Sequence, residues 1–162
     1  MKLLLIITAL SCLSGTEFRQ EEEPSTFNTY CNARFRYCID YPVFLKAQPE
    51  SENGDGRIFT GKAGEKVLTV FGRLNQDSDG NPISLQNQYE KDRRDLHSSG
   101  INISYKKLGK NFYVLSGQKA NTVVYRKTII KDEAFCFAYL EYDIAQNTLF
   151  DSILPRISQS FK

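Results

Sequence analysis

The sequence predicts an α+β domain, an antiparallel β-sheet covered by helices in a layered α/β/α sandwich. Three observations predict it. Apolar residues alternate or run together over short segments, the mark of strands, whereas only two stretches repeat at helical spacing, one in mid-chain and one at the end. Between residues 101 and 142 the strand segments follow one another with no helical interruption, so short turns must pair them antiparallel. Several segments are apolar on both faces, which requires a layer on each side of the sheet.

The elements follow in order from Phe27. Phe35, Tyr37, Ile39 and Tyr41 alternate with Arg36, Cys38 and Asp40, a strand with one buried face that Pro42 closes. Residues 51–56 (SENGDG) form a turn cluster, residues 57–60 a strand, and residues 61–65 a hairpin turn. Residues 66–74 (KVLTVFGRL) are apolar on both faces and belong in the middle of a covered sheet. Ser84 is suited to cap a helix running to about Ser98, with Leu85, Tyr89 and Leu96 as a narrow apolar stripe and Gly100 beyond its end. Three or four strands follow, at residues 101–108, 112–118, 122–131 and 134–142. The last carries Phe135, Phe137 and Tyr139 on one side and Ala134, Cys136, Ala138 and Leu140 on the other. Residues 145–161 then place Leu149, Phe150, Ile153, Leu154, Ile157 and Phe161 on one helical face, with Pro155 expected to kink or break the helix.

The first fifteen residues have the three-part layout of a secretory signal: Lys2, the apolar run Leu3 to Leu10, then small residues to Gly15. Cleavage after Ser14 or Gly15 is the first expectation. Cys12 offers an alternative, cleavage before a lipidated cysteine and a tether to a membrane surface. Residues 16–26 (TEFRQEEEPST) are too polar to contribute to a core and read as a disordered leader, so residues 27–162 are expected to form a single globular domain. Removing the signal takes away Lys2 and no acid, which leaves 20 basic residues against 19 acidic ones and a net charge of +1. That balance speaks against nucleic-acid binding and against a polybasic membrane contact.

Without Cys12 the exported chain has three cysteines, so one stays unpaired in a monomer. Cys136 lies in the most apolar strand and reads as a buried thiol, whereas Cys38 shares a face with Arg36 and Asp40, away from the aromatic core. A hairpin centred between Arg34 and Phe35 would set Cys31 opposite Cys38 within disulfide reach, and that pairing is the expectation. Arg-Phe is a poor two-residue turn, and Asn32 in a left-handed conformation is an alternative site for the bend.

Candidate chemistry is sparse. Asn75, Asp77 and Asp79, followed by Gly80, match the first half of a calcium loop, but Pro82 and Gln86 depart from the second half. Ordinary turn formation is the competing reading. His97, the only histidine, sits at a helix end and reads as solvated, as does the mixed run from Lys91 to Asp95. Tyr30, Phe35, Tyr37 and Tyr41 are candidates to line a ligand groove, with core packing as the alternative. No nucleophile elbow, phosphate-cradling glycine loop or paired Cys-x-x-Cys is present, so no enzyme is expected and no cofactor beyond the calcium candidate.

The aromatic strand Phe35-Arg36-Tyr37-Cys38-Ile39-Asp40-Tyr41-Pro42 resembles the opening of PsbP-like domains, and residues 153–161, with their Ser-Phe end, are similar to the last helix of that fold. The order of strands, central helix, strand meander and final helix fits over residues 27–162. The resemblance implies binding or assembly work, since members include the lumenal extrinsic subunit of photosystem II, a Ran-binding nuclear import factor and exported bacterial proteins and lipoproteins. It transfers no active site. The expectation is an exported, periplasmic or secreted, non-catalytic binding or assembly module of the cell envelope with a protein partner. A carrier or sensor of a small ligand in an aromatic-lined cleft is the alternative, and a lipoprotein tethered through Cys12 a second.

Overall fold

The structure, a computed structural model, describes residues 26–162. The signal segment, Cys12 and all of the leader before Thr26 lie outside the described residues.

Strands β1 (Phe27–Cys31) and β2 (Cys38–Pro42) form a separate two-stranded hairpin. The main sheet has seven strands: β3 (Lys46–Glu50), β4 (Gly56–Thr60), β5 (Lys66–Leu74), β6 (Asn102–Leu108), β7 (Phe112–Lys119), β8 (Thr122–Lys131) and β9 (Ala134–Asp143). Their spatial order is β3-β4-β5-β9-β8-β7-β6, with every neighbouring pair antiparallel. Helix α1 (Leu85–Ser98) carries the chain from β5 to the far edge, and a 3₁₀ turn (Ile144–Gln146) leads into helix α2 (Asn147–Ser160). No helix of the described residues is long and apolar enough to cross a membrane.

The two strands apolar on both faces, β5 and β9, sit at the centre, where the register sets Phe71 opposite Phe137 and Val70 opposite Ala138. One face of the sheet is covered by the β1–β2 hairpin and α2. There Tyr37, Ile39, Phe59, Leu68, Cys136, Leu140, Phe150 and Phe161 are almost fully buried in one cluster. The other face meets α1 through Leu96, Tyr113, Leu115 and Val124. The layered α/β/α arrangement therefore rests on two cores.

Local differences from expectation have physical causes. Strand β3 lacks a sequence signal because Pro49 and polar residues interrupt it, and a strand of that kind survives at a sheet edge, where one row of backbone groups needs no partner. Phe35 and Tyr37 lie in the turn before β2 rather than in the strand. The bend is not a two-residue turn and Asn32 is not its left-handed residue: Arg36 takes positive φ (57°), while the buried Asn32 side chain accepts from the Phe35 amide at 2.8 Å. Pro155 does not break α2. Pro155 and Asp151 both lie on the exposed side of the helix, where water satisfies the carbonyl that loses its donor. Helix α1 starts and stops as its caps dictate, with Ser84 accepting from the Asn87 amide and Gly100 at φ 80° beyond the end.

Candidate binding surfaces

Pro42 ends the hairpin, and the Leu45 amide donates back to its carbonyl at 3.0 Å, which puts Val43 and Phe44 at the tip of a tight turn, Val43 exposed and Phe44 half-buried against the core. Across from them α2 begins. Phe150 faces the core and stacks on Tyr142 at 3.9 Å, which leaves Leu149, one residue earlier on the helix, half-buried. Between the two lies an apolar groove of about 840 Å³, lined also by Val67 and with Lys62 and Glu65 at its rim. Val43 is 43% exposed there, an unusual state for a large apolar side chain beside others.

The second feature is a polar network under α1. Gln88, Asp92 and Leu96 recur every fourth residue and form the buried line of the helix. Asp92, read from sequence as part of a solvated charge run, is 4% exposed; the side of the helix facing the sheet claims it. Its carboxylate accepts from Gln88 Nε2 (2.7 Å) and from the Tyr113 and Tyr139 hydroxyls (2.5 and 3.5 Å). Gln88 Oε1 in turn accepts from Arg73 at 2.6 Å. Burial, and then the Asp92 charge, hold both tyrosines well above their usual range, so they stay protonated and donate. Arg73 lies over Phe135 and Phe137, and Arg126 lies 4.5 Å above Tyr139 with its Nε buried and unpartnered. With three donors on a carboxylate beneath a helix, Asp92 fastens α1 to the sheet and is closed to a substrate.

The sequence candidates fall as follows. Cys31 and Cys38 are direct cross-strand partners and form a disulfide, and Cys136 is a buried free thiol. Burial pushes the Cys136 thiol up to about 11. Tyr30, Phe35 and Tyr37 are core residues and Tyr41 packs on Phe59 at 4.5 Å, so the four rings line no cleft between sheet and helix. Tyr30 and Tyr37 meet edge to face, and Phe35 lies where a Cβ on Gly72 would be, which ties the turn to β5. Asn75, Asp77 and Asp79 do not converge as an oxygen cage. Asp77 instead accepts from the Asp79 and Asn81 amides (2.9 and 2.8 Å), and these bonds hold its carboxyl below the usual range while they close the loop. Among the described residues no group of three His, Cys, Asp or Glu side chains is placed to hold a metal. His97 is exposed, as its position at a helix end implied.

Fold and surfaces together define a class: a two-core α+β sandwich with an apolar groove beside its second helix. The particular fold is PsbP-like. The chain is similar to the solution structure of cyanobacterial PsbP (CyanoP) from Synechocystis sp. PCC 6803, with a TM-score of 0.61 at 12% identity over 84% of this chain and 91% of that one. No protein-family model and no curated protein matches the sequence.

Proposed function

We propose that this is an exported, non-catalytic binding module that engages a protein partner through the apolar groove beside α2. The observation that carries this reading is the groove itself, open to solvent and flanked by Val43, Phe44 and Leu149, which a domain without a partner would gain by covering. The polar residues at its rim, Lys62 and Glu65, supply the hydrophilic border that interfaces share. The signal-like N-terminus and the PsbP-like fold support export and binding or assembly work.

A photo-crosslinking residue at Thr148, which lines the groove, tests it in cells of the source organism. A discrete adduct that disappears in the Val43→Glu/Leu149→Glu variant, with the melting temperature unchanged, is the expected result. Crosslinks that survive the double variant would overturn it. The groove volume also falls in the range of small-molecule sites, roughly 300–1,000 Å³, so the carrier reading predicts a lipophilic compound released on denaturation and seen by native mass spectrometry.

A further inference from the structure

Strand β6 is a terminal strand of the sheet, bonded to β7 on one side and to no other strand of the described residues. Its residues are exposed except for the half-buried Ile103, and Tyr105 and Leu108 are 50% and 42% exposed. Helix α1 packs over β6 and β7 on one face. Where the C-terminal half of α1 passes the start of β6, a cleft of about 410 Å³ opens, lined by Arg93 and His97 from the helix and by Ile101, Ile103 and Lys106 from the strand side.

No carboxylate lines this cleft. Lys119 adds a further cation nearby, its Nζ donating to the Ser99 carbonyl at 2.7 Å just past the end of α1. The neighbouring acids are already engaged: Glu90 with Arg93 at 2.9 Å, and Asp95 with Lys91 at 2.6 Å. Arg93 itself is exposed and its Glu90 partner only half-buried, so the guanidinium can exchange that partner for a ligand at modest cost.

An open row of backbone N–H and C=O groups beside a trough floored by isoleucines and rimmed by cations is what an added strand needs. Main-chain bonds supply affinity and alternate side chains reach the trough. We propose that the β6 edge and this cleft form a β-addition site for an extended acidic peptide segment. Lysines on an edge strand also deter unwanted pairing. They do so by repelling other basic edges and by the cost of desolvating an uncompensated ammonium against a neutral one, whereas an acidic segment compensates the charge. The site is distinct from the groove, which is built on the β3–β5 half of the sheet, and does not depend on its reading.

His97, the only histidine, is a unique reporter at the wall of the cleft. The untagged full chain, carrying labelled histidine and backbone nitrogen, is titrated with an acetylated and amidated peptide of alternating glutamate and valine. Expected are a saturable shift of the His97 ring signals and of the β6 amides, and binding about tenfold weaker in Arg93→Glu/Lys106→Glu. The same peptide N-methylated at alternate residues keeps its charge and loses its edge donors, so it too should bind about tenfold more weakly. Equal binding of the N-methylated peptide overturns strand addition. A saturable shift with inorganic phosphate and none with the peptide also overturns it and assigns the cleft to small oxyanions. Because the peptide pair alters the ligand alone, the decision does not depend on how the variant folds.

Discussion

Replacing Asn32 by alanine should be among the most costly single truncations of a polar side chain in this protein. The side chain is 2% exposed, and its Oδ1 pairs with the Phe35 amide inside the turn. Its Nδ2 spreads two hydrogens over the Tyr30 hydroxyl, Glu50 Oε1 and the Gly54 carbonyl at 2.9–3.1 Å, which joins the β1–β2 turn to the β3–β4 loop. Alanine leaves the Phe35 N–H unpaired in the interior, a cost of about 1–3 kcal/mol, and removes two donated bonds worth about 1 kcal/mol each. The expected loss is about 3–5 kcal/mol, a large share of a typical total of roughly 5–15 kcal/mol. Urea unfolding followed by far-UV circular dichroism measures it; the chain has no tryptophan to report by fluorescence. Asn32→Asp sharpens the test, because aspartate keeps the acceptor for Phe35 but faces Glu50 with a second carboxylate. At pH 7 it should be at least as damaging as alanine. Burial beside Glu50 raises the folded-state pKa of the new carboxyl, so its deficit should shrink as the pH falls and the protonated form is favoured. A loss below about 1 kcal/mol in Asn32→Ala, or an Asn32→Asp variant milder than alanine at pH 7, would refute the reasoning.

Denaturing alkylation of the non-reduced protein should label Cys136 and leave Cys31 and Cys38 unlabelled. In the native state Cys136 should resist thiol reagents, since it is fully buried and its pKa is pushed up. Reduction of the bridge should lower stability by about 2.5 kcal/mol, as closing so short a loop implies. Asp92→Asn keeps the shape of the side chain yet sets an amide among the donors Gln88 and Tyr113; a loss of about 2–3 kcal/mol in denaturant titration is expected, and a neutral result would show that the network does not hold α1. Tyr30, Tyr37, Tyr113, Tyr125, Tyr139 and Tyr142 are all raised by burial first of all, so the unfolded chain gives up those protons before the fold does. Stability should be unaffected by these groups below about pH 10 and fall as the pH rises past it, with phenolate absorbance appearing together with loss of the circular dichroism signal.

The strand order along the chain, the caps of α1 and the two-sided apolarity of β5 and β9 were legible because each rests on side chains a few residues apart. The Cys31–Cys38 pairing was legible for the same reason: strand parity and a bend centred between Arg34 and Phe35 are local facts, and β1 and β2 pair in that register. The position of Asp92 was not legible. A charged run looks alike on either side of a helix, and only the placement of α1 over Tyr113 and Tyr139 turned this one carboxylate inward. The groove was hidden more deeply, since Val43, Val67 and Leu149 come from parts of the chain as much as about a hundred residues apart. Tyr30, Phe35, Tyr37 and Tyr41, the sequence candidates for a ligand groove, lie in a different place: they pack in or against the core, Tyr30 on Phe59 and Tyr37 on Phe161. Periodicity determines which side chains share a face. Which faces meet, and which are left facing water, is decided by packing between distant segments, and so the sequence carried the architecture while the tertiary structure alone produced the surfaces on which a partner can act.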